Sequence, residues 1–136
     1  MSGSWMMRYV AEFFGTAILV ILGNGAVANS FLKDTTGNGS DGQSNGGWNF
    51  IAWGFGFGVM LPAMLFGSIS GNHINPAITI GEAACGIFPW AHVIPYIVCQ
   101  MLGAILGQLL VVAIYWIYFK KTTNEPNVIL SCFSTG

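Results

Sequence analysis

A stretch of forty residues without a charged side chain is the strongest constraint on how this chain folds. No Asp, Glu, Lys or Arg occurs between Asp41 and Glu82, and 37 more uncharged residues separate Glu82 from Lys120. Charged residues make up 7% of the 136-residue chain, whereas a soluble domain has roughly 25%. A lipid bilayer is therefore the expected surrounding. The net charge of -1 provides no cluster of Lys and Arg for phosphates, so we expect no nucleic-acid partner.

Three apolar segments are long enough to cross the hydrocarbon core of a bilayer, which takes about 20 helical residues. They cover about residues 9–32, 48–69 and 91–119. Residues 33–47 between the first two are rich in Gly, Asn and Ser and are predicted to form a solvated loop. Residues 120–136 turn polar, and no further helix is predicted there. The sequence therefore predicts an all-α transmembrane protein.

A shorter apolar segment lies between the second and third spans. Residues 70–75 form a polar break, and residues 76–87 after it are apolar and helix-like. Twelve residues give a helix of about 18 Å, too short for a hydrocarbon core of about 30 Å. We therefore predict a re-entrant loop with a half-helix over about residues 70–87. Irregular backbone at membrane depth is tolerated only where it is buried in protein or lines a water-filled path.

The Asn-Pro-Ala tripeptide at the start of this half-helix has residue types suited to a solute path. Pro76 suits the first helical position, and the side-chain oxygen of Asn75 can cap the first amides while its NH2 group donates outward. An extended Gly71-Asn72-His73 segment would add a row of carbonyl acceptors. An ordinary helix start and a packed, hydrogen-bonded His73 are the plainer alternatives. The uncharged break and the short helix favour a channel or transporter.

Four segments resemble the major intrinsic protein family of aquaporins and glycerol facilitators, in the same order along the chain. They are Ser70-Gly71-Asn72-His73-Ile74-Asn75-Pro76-Ala77, Ala11-Glu12-Phe13-Phe14-Gly15-Thr16, Gln100 with Gly103, and Phe133-Ser134-Thr135. The similarity looks strongest to bacterial glycerol uptake facilitators. It implies that residues 1–136 form the first of that family's two inverted repeats, with the second repeat absent. We expect the sequence to be a fragment, with a truncated gene product, or one half of a protein assembled from two pieces, as the alternatives.

The resemblance assigns the pore of this repeat to the Asn-Pro-Ala loop. It implies that Asn75 donates to the permeant and that Gly71, Asn72 and His73 offer their carbonyls. The outer filter needs an aromatic ring from the second helix. An ungapped match places Phe55 there, whereas Trp53 requires a two-residue insertion.

Other residues receive structural roles from the same resemblance. Glu12 would be a buried carboxylate that braces the pore loop, although a glutamate near the membrane surface is equally consistent with the sequence. Gln100 belongs to the third helix. Gly103 and Gly107 form a GxxxG pattern, which is typical of closely packed helices. Pro76 and Ala77 complete the signature tripeptide.

The function implied is a passive channel of the cell membrane for glycerol, other small neutral solutes and water. A non-conducting truncated protein or membrane subunit is the alternative. We expect no cofactor, no metal site and no enzymatic activity, because Glu12, His73, Glu82 and His92 show no catalytic or metal-binding spacing. The resemblance implies a homotetramer embedded in lipid. Orientation stays open, since Arg8 alone marks the side that the family places in the cytoplasm.

Overall fold

The computed structural model describes residues 3–38 and 47–134, and the regular elements in this part of the chain are all helices. The elements are α1 (Trp5–Phe31), α2 (Gly47–Ser70), α3 (Pro76–Ala84), a 3-10 turn (Trp90–His92), α4 (Val93–Ile114), α5 (Trp116–Lys121) and α6 (Pro126–Ser131). By length and composition, α1, α2 and the 3-10 turn with α4 could each cross a membrane. The predicted all-α fold with three spanning helices and one short helix is confirmed.

The first long helix begins four residues earlier than the predicted span. The predicted span starts at about residue 9, after Arg8, but α1 begins at Trp5. The hydroxyl oxygen of Ser4 accepts a hydrogen bond of 3.4 Å from the amide of Met7. A serine that binds the third amide of a helix is an N-cap. The cap therefore determines the start of the helix, and the charge of Arg8 does not delay it.

The short helix α3 ends at Ala84, three residues before the predicted end. Gly86 follows with a φ of +74°, a left-handed conformation that glycine adopts without steric cost. Its amide donates to Ala83 over 3.1 Å, and the amide of Ile87 donates to Glu82 over 2.9 Å. These two bonds form a Schellman motif, which closes helices at a glycine. Gly86 was visible in the sequence, but the apolar run continued past it.

The predicted third span of residues 91–119 is interrupted in the structure. The helix α4 ends at Ile114, and α5 begins after Tyr115. No Gly or Pro lies at this break, so hydropathy gave no signal for it. The prediction of no helix after residue 120 was wrong, because α6 covers Pro126–Ser131. Pro126 occupies the first turn of α6, where a missing N–H has no cost.

The chain divides into two compact units. The first unit contains residues Met1–Leu19 and Val59–Gly107. Its apolar core is formed by Ala83, Phe88, Val93 and Tyr96, with Trp5, Tyr9 and Ile97 packed against them. The rings of Phe88 and Tyr96 lie 4.6 Å apart. This core packs the residues that follow α3 against the start of α1 and of α4.

The second unit contains residues Val20–Gly58 and Gln108–Gly136. Its core residues are Val27, Ala28, Leu32, Ile51, Val111, Phe119 and Cys132. Asn24 of α1 donates to Gln108 of α4 over 2.7 Å, and Gln108 donates to the carbonyl of Cys132 over 3.2 Å. Ion pairs join Lys33 to Glu125 and Lys121 to Asp34. The loop after α1 is therefore tied to the segment that carries α6.

The cysteines of the folded chain should differ strongly in reactivity. Cys85 is exposed, whereas Cys132 is fully buried. Burial raises the pKa of Cys132 to about 11, so almost no thiolate forms near neutral pH. We expect a water-soluble alkylating reagent at pH about 8 to modify Cys132 at least about tenfold more slowly than Cys85. Peptide mass spectrometry over a time course measures both rates, and equal rates in the native protein would contradict the burial of Cys132.

Candidate functional site

The loop between α2 and α3 has an unusual backbone. Gly71, Asn72 and Ile74 have φ values of 90°, 55° and 41°. A left-handed conformation is costly for a β-branched residue such as isoleucine, so its surroundings must hold it in place. The side chain of Ile74 is buried at 6% exposure. Its methyl carbon would lie 2.8 Å from a Cβ placed on Gly15, so α1 provides the space that this conformation needs.

Glu12 of α1 holds the loop from inside the first unit. Its carboxylate accepts hydrogen bonds from the hydroxyl of Ser70 at 2.6 Å, from the amides of His73 and Ile74 at 3.0 and 2.7 Å, and from Gln100 at 2.8 Å. The side chain is 0% exposed. Four donors satisfy a buried carboxylate that would otherwise be very costly.

The contacts of Glu12 determine which way the loop backbone faces. Because the amides of His73 and Ile74 turn inward to the carboxylate, the neighbouring carbonyls are left for other partners. Within residues 3–38 and 47–134, the carbonyl oxygens of Gly71, Asn72 and His73 accept no hydrogen bond. Gly71 is exposed and Asn72 is half-buried. The carbonyls of Gly71 and Asn72 are therefore available as acceptors, whereas His73 is buried at 3% exposure.

Asn75 caps the start of α3. Its side-chain Oδ1 accepts a hydrogen bond of 2.8 Å from the amide of Ala77, and Pro76 occupies the first helical position. The side chain of Asn75 is exposed. In the described part of the chain, its NH2 group has no hydrogen-bond partner, so it can donate to a solute.

A set of buried polar side chains lies behind the loop. Thr79 is fully buried, and its hydroxyl lies 3.1 Å from the Asn75 carbonyl, 3.0 Å from the Gln100 amide nitrogen and 3.1 Å from His73 Nδ1. The hydroxyl of Tyr96 donates to the carbonyl of Ser70 over 2.8 Å. The acceptor-rich loop thus rests on a connected hydrogen-bond network.

A family model described as "Major intrinsic protein" matches residues 2–132 of the chain. The chain belongs to the major intrinsic protein family. The resemblance inferred from the sequence motifs is thereby confirmed.

Individual relatives of this family match the chain over nearly all of its length. "Glycerol uptake facilitator protein-like 5" of Lactiplantibacillus plantarum is 65% identical over 100% of this chain and 54% of its own length. "Glycerol facilitator-aquaporin gla" of Lactococcus lactis subsp. cremoris is 53% identical over 99% of this chain and 44% of its own length. The chain therefore spans about half the length of the curated relatives it matches.

A solved structure supports the same fold. The aquaglyceroporin from Plasmodium falciparum superposes with a TM-score of 0.76 and 28% sequence identity. The match covers 88% of this chain and 46% of the aquaglyceroporin. The chain therefore has the fold of about half of a major intrinsic protein, and it is a membrane protein.

Gly103 and Gly107, which form the GxxxG pattern, are both buried in α4. A Cβ on Gly103 would collide with the backbone carbonyl of Phe13 in α1. The two helices therefore approach backbone to backbone at this position, as a small residue allows. Gly107 ends the first unit.

The predicted filter aromatic belongs to the second unit, whereas Asn75 and the loop belong to the first. Phe55 is 39% exposed, and its ring fills the space next to Gly23. It lines a cavity of about 380 Å³ together with Asn24 and Trp48. The alternative residue, Trp53, is 66% exposed and stacks on Phe57 at 5.5 Å. The filter assignment of Phe55 remains a prediction.

The sequence analysis assigned no role in the loop to three residues that contact it: Thr79, Tyr96 and Glu82. A carboxylate oxygen of Glu82 lies 3.2 Å from Nε2 of His73. Thr79 follows Asn75 by four residues, so helical spacing could have placed its hydroxyl near the Asn75 carbonyl. The sequence gave no signal for Tyr96, which reaches the loop from α4. Among the described residues, no group of three His, Cys, Asp or Glu side chains could hold a metal ion.

Proposed function

We propose that this chain forms one wall of a passive channel for glycerol, other small neutral solutes and water. The observation that carries the proposal is the pairing of an outward-facing donor with a row of unbonded acceptors. Asn75 offers its NH2 group, and Gly71, Asn72 and His73 offer carbonyl oxygens. A polyol needs both kinds of partner, because each hydroxyl can donate and accept.

The start of α3 also opposes the passage of cations. The amides at a helix N-terminus have a partial positive charge of about half an elementary unit. In α3 this end is capped by Asn75, a neutral side chain, and no acidic residue lies in the first turn. The positive end is therefore not neutralised, and it would repel hydronium and metal cations while admitting neutral solutes.

Two relatives carry glycerol in their names, and one is also named an aquaporin. This supports glycerol and water as permeants. We further propose that the channel resides in the cell membrane and assembles as a homotetramer within the lipid bilayer. No step of this function makes or breaks a covalent bond, so the protein would not be an enzyme.

Two substitutions of Asn75 should separate its capping role from its donor role. Asn75→Asp keeps the oxygen that caps α3 but removes the NH2 donor and adds a negative charge. Asn75→Ala removes both the cap and the donor. We expect both variants to lose at least about tenfold in glycerol flux, because each loses the donor. Only Asn75→Ala should also lose about 1 kcal/mol of unfolding free energy, through the missing cap.

The measurement is stopped-flow light scattering of proteoliposomes. The chain is tested alone and fused to the part of the Lactiplantibacillus plantarum relative that it does not cover. The proposal is supported if liposomes that contain the fusion have a glycerol permeability well above that of empty liposomes. A fusion that folds and assembles but gives lipid-only permeability would favour the non-conducting alternative. Unchanged flux in both Asn75 variants would exclude Asn75 as the donor.

A further inference from the structure

The imidazole of His73 is buried among groups that the proposed transport function does not use. Its side chain is 1% exposed. Nδ1 lies 3.1 Å from the hydroxyl oxygen of Thr79, and Nε2 lies 3.2 Å from a carboxylate oxygen of Glu82. Both partners are in α3, so this short helix contacts both nitrogens of the ring.

The hydroxyl of Thr79 determines where the protons of this cluster lie. A hydroxyl has one proton to donate and two lone pairs that accept. Its neighbours are the carbonyl of Asn75, which can only accept, and the NH2 group of Gln100, which donates. If Thr79 donates to Asn75, its second lone pair is open to a donor, and His73 Nδ1 must carry a hydrogen.

The hydrogen-bond partners of Gln100 determine the orientation of its side-chain amide. Its Nε2 lies 2.8 Å from the Glu12 carboxylate and 3.0 Å from Thr79. A carboxylate can only accept, so the amide group must present nitrogen to it. Gln100 therefore cannot supply an acceptor to Thr79.

A hydrogen on Nδ1 has a consequence at the other ring nitrogen. In a neutral imidazole with Nδ1–H, Nε2 is an acceptor, and it would face the acceptor oxygens of Glu82. A proton must then lie between the two groups, on the ring or on the carboxyl. Nε2 of His73 and the carboxylate oxygen of Glu82 lie within ion-pair distance, but the two groups are not aligned for an N–H···O hydrogen bond. Charge attraction between an imidazolium and a carboxylate does not need that alignment.

The remaining surroundings of the ring are compatible with a positive charge. The titratable groups that contact His73 are the carboxylate of Glu82 from α3 and the ring of Tyr96 from α4, both beside the imidazole, and the carboxylate of Glu12 from α1, which accepts from the backbone amide. The ring of Phe88 lies 4.9 Å away. The carboxylate of Glu82 favours a cation at this position, whereas the burial of the ring opposes it.

We propose that His73 and Glu82 form a proton-binding site built into the Asn-Pro-Ala loop. With the proton bound, Thr79 donates to the carbonyl of Asn75. After the proton leaves, Nε2–H faces the ionised Glu82, Nδ1 becomes an acceptor, and Thr79 turns its hydroxyl toward the ring. Proton occupancy thus determines whether the hydroxyl of Thr79 donates to the Asn75 carbonyl, which accepts the amide of Thr79 in both states.

The test follows the ring nitrogens of His73 by ¹⁵N solid-state NMR on the full chain in lipid, from pH about 5 to about 9. The chain has two histidines, so His92 is the internal control. In the wild-type chain, both ring nitrogens of His73 should be protonated at the acidic end. In Glu82→Gln, the doubly protonated ring of His73 should be less populated at the acidic end than in the wild type, because an opposite charge is removed. The matched variant Glu125→Gln, which removes an exposed carboxylate paired with Lys33, should leave this population unchanged.

Two results would overturn the proton-binding site. One is a His73 ring in the wild-type chain that never carries both protons in this pH range. The other is a Glu82→Gln chain whose His73 ring is doubly protonated to the same extent as in the wild type, while the His92 signal shows an intact fold. Glu82 is about one-third exposed and glutamine has nearly the same shape, so this variant should fold.

A flux measurement extends the test and rests on the proposed function. In the fusion protein, glycerol flux should change across the same pH range in the wild type, and this dependence should shift in Glu82→Gln. A channel with no flux at any pH would refute the proposed function while leaving the NMR result intact. A clear His73 titration with pH-independent flux would overturn the link to the Asn75 carbonyl.

Discussion

Replacing Glu12 by glutamine should destabilise the chain by about 3 kcal/mol, the largest effect expected for any isosteric change. The carboxylate accepts four hydrogen bonds in a fully buried position. Glutamine has one accepting oxygen, and its NH2 group would face donors. Hydrogen bonds to a charged group are worth roughly 1.5–3 kcal/mol each, and a buried donor left without a partner has a similar cost.

Reversible unfolding in mixed detergent micelles, followed by circular dichroism, measures this change. Glu125→Gln is the matched control, since its carboxylate is exposed and pairs only with Lys33. It should change the unfolding free energy by less than about 1 kcal/mol. If Glu12→Gln were equally mild, the carboxylate would not be what holds the loop. In the fusion protein, Glu12→Gln should also abolish flux, because the loop carbonyls would no longer be oriented.

Replacing Gly103 by alanine should cost about 3 kcal/mol, although it adds a single methyl group. The new Cβ would collide with the backbone carbonyl of Phe13. A flexible side chain could turn away from such a contact, but a backbone carbonyl within α1 cannot. The helices α1 and α4 would have to move apart, and overpacking of this kind typically costs 1–3 kcal/mol.

Gly67→Ala is the control, because it makes the same chemical change but should raise the unfolding free energy instead of lowering it. Gly67 lies in α2 of the same unit, and nothing stands within 4 Å of its added Cβ. Alanine stabilises a helix interior by up to about 1 kcal/mol relative to glycine. The same unfolding assay compares the two variants. A Gly103→Ala protein as stable as Gly67→Ala would show that the helices are not in backbone contact.

Most of the fold could be predicted from the sequence, because the hydropathy and length of a segment are local properties. A helix in lipid must satisfy its own backbone and present apolar side chains, so long uncharged segments can only be spanning helices. The polar break before Pro76 predicted the short helix for the same reason. Helix ends were less certain where they depend on a cap. Ser4 and Gly86 shift two of the boundaries by three or four residues, and the break at Tyr115 has no sequence signal.

The sequence by itself therefore determined the membrane class, the number of long helices and the identity of the loop that carries Asn75. The tertiary structure decided what the loop can do. Glu12 and Gln100 are 88 residues apart in sequence, yet the side-chain amide of Gln100 donates a hydrogen bond to the carboxylate of Glu12. No periodicity predicts such a contact, since hydrogen bonding between distant helices depends on how they pack. The partner of His73 was likewise decided by packing, because only the folded α3 places Glu82 beside a buried imidazole.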